Sequence, residues 1–289
     1  MESLNRSAVR IRPKRRAPLP ETAAHRLGVF TAVDGTLLDF RTFDAGASRP
    51  AMQRLHAAGI PVIPVSVMSL EELAPIAADL GMQHAMIFEA GGAIARWKEG
   101  RWEVEPCGPS ARTFLDVITD IEDRSGASIL VYSAMEESAA ARVSGRSGEM
   151  LRASTHRDFS EPFVIESGDL ESIARAAAEI GFSVRRGRRF FHLCRACDEG
   201  EAFTRLRDEL QCDLAIGLGG SLVDAEFLTR ADVPIIVPGP DGIPDPELLA
   251  KLPGARVAPA PGPDGWAAAI DEVLRTLSSP KKRVRRAAS

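Results

Sequence analysis

The sequence predicts an α/β protein in which a doubly wound core of parallel strands is interrupted by an inserted α+β cap unit. Three observations carry this expectation. From Leu27 onward, short β-branched runs alternate with amphipathic helical stretches, the pattern of a parallel sheet covered by helices. Between about Ala95 and Asp198 the pattern changes character and opens on a hairpin. From Glu199 the alternation of helix and buried strand resumes. The expected organisation is a basic, disordered arm over 1–26, a core over 27–94 and 199–277, a cap over 95–198 and a basic tail over 278–289.

Each element has its own signal. Leu27–Val33 is β-branched and apolar and reads as the first strand. Ser48 is placed to cap a helix with Pro50 in its first turn, Ala51, Leu55 and Ala58 facing inward, and Gly59 as its end. Ile60–Ser66 is a second buried strand, and Ser69 followed by Glu72 forms a capping box for a helix to Leu80. His84–Phe88 is a third strand.

In the inserted unit, Trp97–Glu105 reads as a hairpin, Ser110–Arg124 as a helix, Ala127–Ser133 as a strand, and further stretches run to Leu193. After it come a helix over Glu199–Leu210, a strand over Asp213–Gly219, a helix over Leu222–Arg230, a strand over Val233–Pro238 and a final helix over Gly265–Leu277. Trp266 is expected to anchor that last helix in the core.

Composition narrows the function classes. With 45% hydrophobic and 26% charged residues in 289, the chain is neither fibrous nor disordered overall. No apolar run approaches the roughly 20 residues of a membrane helix, and the first residues contain no secretory apolar stretch, so a cytoplasmic location is expected. Four cysteines, Cys107, Cys194, Cys197 and Cys212, are too few for a disulfide framework. Cys194 and Cys197 form a lone CxxC that reads as two ordinary thiols.

Residues 1–26 hold seven Lys/Arg against two Asp/Glu, and residues 281–289 hold five against none, so an acidic body lies between two basic tails. Neither tail contains an aromatic residue to stack on bases, so nucleic acid is not the expected partner. No feature points to a membrane or identifies a protein partner.

The chemistry-bearing residues sit where strands end. The first strand runs into Ala32-Val33-Asp34-Gly35-Thr36-Leu37, and ligand sites in such sheets lie at the carboxyl ends of strands. This run resembles the DxDGT signature of the haloacid dehalogenase superfamily with its first Asp replaced by Ala32. Ser66 then matches that family's phosphate-binding Ser/Thr, and Glu89-Ala90-Gly91-Gly92-Ala93-Ile94 resembles its ENGGAI. Arg157-Asp158-Phe159-Ser160-Glu161-Pro162-Phe163, Arg189-Phe190-Phe191-His192-Leu193 and Ala260-Pro261-Gly262-Pro263-Asp264-Gly265-Trp266 resemble motifs of the mannosyl-3-phosphoglycerate phosphatases. The matching fragments span residues 27–277.

The resemblance implies an aspartyl nucleophile at position 32, where a methyl group now stands, and a general acid/base at Asp34. It implies a lysine at position 199, where Glu199 would instead repel a phosphoryl group at close range. It implies Mg²⁺ held by acids of a G-D-S-x-N-D turn, which here reads Gly219-Gly220-Ser221-Leu222-Val223-Asp224. With Gly220 in place of a ligand, Asp34 and Asp224 remain as a poor metal site, and weak or no Mg²⁺ binding is expected. The bland reading of both acids is structural, as a loop-holding Asp and as an acid in the first turn of a helix.

Arg157, Glu161, Arg189 and His192 form the expected substrate-binding group, because arginine binds carboxylate and phosphate in bidentate fashion. Departures at Ala32, Glu199, Gly220 and Val223 together read as natural degeneration. The expectation is thus a pseudo-phosphatase that binds a sugar phosphoglycerate or another phosphate ester. The alternatives are a phosphatase with Ser66 or Asp34 as a displaced nucleophile, and an interaction role for the basic tails.

Overall fold

The computed structural model describes residues 26–107, 114–195 and 199–278. The chain begins with β1 (Leu27–Thr31), α1 (Ser48–Ala57), β2 (Val62–Pro64), α2 (Leu70–Leu80) and β3 (Ala85–Phe88). A hairpin, β4 (Ala93–Lys98) and β5 (Arg101–Pro106), follows. Next come α3 (Phe114–Ser125), β6 (Ser128–Val131), α4 (Glu137–Ser144), α5 (Gly148–Thr155), β7 (Ser160–Ser167), α6 (Leu170–Glu179), β8 (Phe182–Arg186) and β9 (Phe191–Arg195). The chain returns through α7 (Glu199–Glu209), β10 (Leu214–Gly219), α8 (Ala225–Arg230), β11 (Val233–Ile236), α9 (Pro246–Lys251), β12 (Arg256–Val257) and α10 (Gly262–Ser278).

Five strands form the core sheet in the order β12-β11-β10-β1-β2, all parallel. Side chains alternate across its two faces, as the period of a strand demands. Val29, Val62 and Ile216 pack on one side with Ala51 and Leu55 of α1 and Trp266, Ile270 and Val273 of α10. Phe30, Ile63 and Ala215 pack on the other with Ala202, Phe203 and Leu206 of α7 and Phe227 and Leu228 of α8. Both faces are covered, which is the doubly wound arrangement. Trp266 is fully buried and donates from Nε1 to Thr31 Oγ1 at 2.9 Å, so it does anchor the last helix.

Local chemistry explains the helix ends. Ser69 and Glu72 make the capping box in both directions, and Gly81 closes α2 in the left-handed region. Ser48 behaves differently from expectation. Ala47 is the N-cap of α1, and the Ser48 hydroxyl is used instead to tie the helix to the Leu37 carbonyl at 2.8 Å. Ala58 lies past the helix and is exposed, and Met52 takes the inward position beside Leu55.

The hairpin of β4 and β5 joins β3 in a three-stranded antiparallel sheet, and Ala93, Ile94 and Ala95 are buried with the two core clusters. A boundary at residue 94 therefore falls inside β4. A second, antiparallel sheet in the order β6-β7-β9-β8 carries α3 and α6 on one face, with Phe114, Ile118, Phe163, Ile173 and Leu193 in a cluster of their own. The turn between α4 and α5, and the loop between β8 and β9, bring charged side chains over the carboxyl ends of the parallel strands.

No helix among the described residues is long and apolar enough to cross a membrane. The basic arm over 1–25, the tail from 279, and Cys197 of the CxxC lie outside the described residues. Cys194 is buried, with its thiol near the Ser183 hydroxyl at 3.3 Å.

Candidate functional site

Three strand ends build one wall of a cavity. Ala32 follows β1 and its amide still pairs with the Leu218 carbonyl at 2.7 Å. Ser66 follows β2 with its amide on the Ile87 carbonyl, and Ser221 to Asp224 follow β10. The opposite wall comes from the α4–α5 turn, the loop between β8 and β9, and β9 itself. The cavity between them, partly open to solvent, has a volume of about 60 Å³.

Arginine dominates that cavity. Arg146, Arg157, Arg188 and Arg189 all line it, together with Ala32, Asp34, Ser66 and His192. Asp34 is the acid they surround: its Oδ2 lies 3.3 Å from Arg189 Nε and 3.7 Å from Arg146 Nη2. Its Oδ1 is buried with no hydrogen-bond partner. Gly35, next in the chain, has φ +69°, a turn that glycine adopts without strain. Arg189 stacks over the Phe40 ring at 3.8 Å from its centroid and donates to the Phe40 carbonyl.

Arg146 bridges two acids. It donates from Nε to Glu72 Oε1 at 2.5 Å and faces Asp34 on the other side. Burial works against its charge, but Glu72 and Asp34 outweigh that and hold its pKa above the ordinary arginine value. Arg157 is a strut: it donates to the Ser160 hydroxyl at 2.8 Å, to the Ser160 carbonyl at 3.2 Å and to the Val67 carbonyl. Glu89 holds the same loop from below by accepting the amides of Asp158, Phe159 and Ser160 at 3.2, 2.9 and 2.8 Å.

Of the expected substrate group, Arg157, Arg189 and His192 meet in the cavity and Glu161 does not. Glu161 turns away to accept the Ser133 amide at 2.9 Å, and burial pushes its carboxyl above the usual range against the pull of that bond. His192 is buried, and desolvation, helped by the charges of Arg157, Arg146 and Arg185, pushes its pKa well below the usual histidine value. It is therefore a neutral wall residue. Ser66 accepts the Met68 amide at 3.1 Å, and its hydroxyl hydrogen remains to donate into the cavity.

Glu199 is not where a repelling charge would act. As the first residue of α7 it is 1% exposed, packed beneath Gly91, whose missing Cβ would fall 2.8 Å from the Glu199 Cα. It is absent from the cavity wall among the described residues and neighbours Arg185. Burial disfavours the Arg185 charge, but Cys194, Glu199 and Glu226 together hold its pKa above the ordinary value. The expected close-range repulsion of a ligand by Glu199 is thus replaced by an internal charge balance beside Arg185.

The remaining acids do not converge on a metal. Asp224 Oδ2 accepts the Gly220 amide at 2.7 Å, the Ser221 amide at 2.8 Å and the Ser221 hydroxyl at 3.2 Å. Burial pushes its pKa up while those bonds and Arg188 pull it down. Asp34 is turned toward Arg189 and Arg146. Among the described residues, no three His, Cys, Asp or Glu side chains form a metal-holding group. Asp34 Oδ1 has no partner, but with no carboxylate at Ala32 or Gly220 the site offers two acids, one of them spent on the Gly220 and Ser221 amides, so this donor set does not fit Mg²⁺.

No protein-family model matches the chain. A glucosyl-3-phosphoglycerate/mannosyl-3-phosphoglycerate phosphatase of Persephonella marina is 28% identical over 267 residues, covering 86% of this chain and 97% of the relative. A protein of the same name from Methanococcoides burtonii is 29% identical over 265 residues, covering 85% and 96%. The crystal structure of a haloacid dehalogenase-like hydrolase from Bacteroides thetaiotaomicron superposes with a TM-score of 0.61 at 16% identity, covering 86% of this chain and 99% of that one. The fold is that of haloacid dehalogenase-like hydrolases, and the sequence is similar over most of its length to sugar phosphoglycerate phosphatases. The resemblance implies a nucleophile at the end of β1, and the chain places Ala32 there.

Two site residues were absent from the sequence-based expectation. Arg146 and Arg188 lie on turns, in the stretches Ser144–Ser147 and Arg185–Arg189, with no motif or period to mark them. The only signal was the density of arginine in the second stretch.

Proposed function

We propose that the protein is a non-hydrolysing member of the superfamily that binds a phosphate ester of the sugar phosphoglycerate class in this arginine-lined cavity, with the four-stranded unit acting as its cap. One observation carries the reading: the Ala32 methyl lies in the wall of a cavity with four guanidinium groups. Cationic walls with a Ser66 donor bind an oxyanion, and a hydrocarbon at the attacking position cannot form a bond to phosphorus.

The Asp34 carboxylate does not replace the missing nucleophile, because it lies against Arg189 and Arg146 and because Ala32 and Asp34 are separated by fixed backbone. A cavity of about 60 Å³ holds roughly four to six waters, the room of one phosphoryl group. Three free thiols among the described residues, Cys107, Cys194 and Cys212, suit a reducing compartment, and the cytoplasm is the location we assign.

The test pairs binding with turnover. Mannosyl-3-phosphoglycerate raises the melting temperature of the protein, Arg189→Ala abolishes the rise, and no phosphate is released with Mg²⁺ present. Phosphate release at a rate typical of phosphatases, about 1 s⁻¹ or more, overturns the non-hydrolysing part. Absence of any shift with phosphate esters overturns the binding part.

A further inference from the structure

The loop between β8 and β9 sends Arg188 to the carboxyl ends of β1, β10 and β11, and three glycines make room for it. A Cβ at Gly220 would fall 2.1 Å from Arg188 Nη2, one at Gly239 would fall 3.0 Å from Nη1, and one at Gly35 would fall 3.5 Å from Nε. The Nη2 group donates to the backbone carbonyls of Gly220 at 2.5 Å and Val237 at 3.2 Å. Asp224 lines the same cavity wall. A positive charge is thus held by carbonyl oxygens at the strand ends, in the wall of the cavity that Ala32, Arg157 and Asp224 also line.

We infer that Arg188 takes the place of the divalent cation, so that the cavity binds the phosphoryl dianion of its ligand without metal, using a guanidinium that the chain itself supplies. The inference rests on the proposed binding function and goes beyond it. Sterics and charge make the exchange mutually exclusive. Any side chain at position 220, a metal-binding carboxylate included, would need the volume that Arg188 Nη2 fills. A divalent ion near Asp224 would sit against a fixed positive charge in a partly buried setting, where like charges repel by several kcal/mol. Arginine has the right chemistry for the exchange, since its fork satisfies the two carbonyls with one edge and leaves other N–H groups for a phosphoryl oxygen.

The experiment uses the full chain with two probes, inorganic phosphate and Mn²⁺. Phosphate binding by calorimetry is expected to have the same affinity, within about twofold, in EDTA and in excess Mg²⁺. Arg188→Met is expected to weaken it at least about tenfold, the worth of a charge-assisted hydrogen bond. Titration of the wild-type protein with Mn²⁺ alone, followed by the paramagnetic signal of the free ion, is expected to show no bound fraction. The double variant Gly220→Asp/Arg188→Ser, with the carboxylate in place and the guanidinium removed, is expected to bind Mn²⁺.

Phosphate binding that appears only with Mg²⁺, or that is unchanged in a folded Arg188→Met, overturns the inference while leaving the binding function standing. So does stoichiometric Mn²⁺ binding by the wild type that is lost in Asp224→Asn. Failure of phosphate and of 3-phosphoglycerate to bind under either condition overturns the binding function itself. The wild-type measurements decide the matter even where a variant fails to fold.

Discussion

Arg188 and Gly220 are mutually dependent: the guanidinium donates to the Gly220 carbonyl at 2.5 Å from a position that any side chain on residue 220 would occupy. A Cβ at 220 would meet both the guanidinium of an arginine 32 residues earlier and the Val237 carbonyl, and the arginine reaches the strand ends because position 220 is bare. Where the resemblance implies an acid at this turn, the chain has a glycine and a neighbouring guanidinium.

Gly220→Ala tests that dependence on stability alone. Its Cβ would lie 2.1 Å from Arg188 Nη2 and 2.7 Å from the Val237 carbonyl, and the second contact is backbone. The expected cost is about 1–3 kcal/mol, as for other overpacked sites. Adding Arg188→Ala removes the first clash, so the double variant recovers part of the loss and the two effects are not additive. Urea midpoints of the four proteins give the coupling. Additive losses would show that the two residues do not share the space.

Ala32→Asp restores a carboxylate to the end of β1 and is expected to leave phosphate release at background. The reason lies in the neighbours: Asp224 is spent on the Gly220 and Ser221 amides, and Arg188 fills the space at residue 220. A new anion at position 32 is also expected to weaken phosphate binding, because it competes for the same guanidinium groups. A colorimetric phosphate assay with mannosyl-3-phosphoglycerate and a thermal shift check both halves, and measurable turnover would contradict the argument.

Glu199→Lys would restore the family residue and is expected to destabilise the fold by about 3 kcal/mol or more. Glu199 is 1% exposed at the first position of α7, where an acid is favoured and a cation is not. Lysine would put a second positive charge beside Arg185, leaving buried charges without compensation. The measurement is the unfolding midpoint in urea. A variant of wild-type stability would mean that the side chain can escape to solvent.

His192 sets a pH dependence whose sign follows from its environment. Its folded pKa lies well below that of the unfolded chain, so the unfolded state binds the proton first as pH falls. Stability from this group is present above the usual histidine pKa and declines as pH drops from about 6.5 toward the folded value, by up to about 1.4 kcal/mol per pH unit. His192→Gln lacks this loss. The stability difference between wild type and variant is therefore expected to move in favour of the variant between pH 7.5 and 5.5, and a constant difference would show that His192 is not held neutral.

The fold was legible because burial patterns are local. The alternation in Val29 and Phe30, the run Ile60–Ser66 and the Ser69/Glu72 box each specify an element within a few residues. Placing Ala32, Ser66 and Asp224 around one cavity followed from their positions at strand ends. The arginines were harder. Arg146 meets Glu72 across 74 positions and Arg189 meets Asp34 across 155, contacts that no window of sequence contains. Glu161 differs for the converse reason: its sequence neighbour Pro162 lines the site, but its own side chain leaves β7 toward Ser133. Glu199 shows that a charge in a motif position can be buried instead of facing the cavity.

Arg146 joins the α4–α5 turn to α2, and its removal is expected to be costly for a specific reason. Its Nε meets Glu72 Oε1 at 2.5 Å, with side chains 7% and 1% exposed. Glu72 must stay, because its other oxygen accepts the Ser69 amide at 2.9 Å and closes the capping box of α2. Arg146→Met therefore leaves a buried carboxylate with Arg157 at 3.6 Å as its remaining cationic neighbour, a loss of about 3–5 kcal/mol for a broken buried pair. Glu72→Gln in the same chain keeps an acceptor for the Ser69 amide and removes the stranded charge, so the double variant should be more stable than Arg146→Met alone. Hydrogen exchange over residues 137–155 separates this from a global effect. Faster exchange there than in β1 and β10 is expected for Arg146→Met, since what it loosens is the seat of this turn on the core. Uniform acceleration across the chain would instead mark Arg146 as part of the core's own stability.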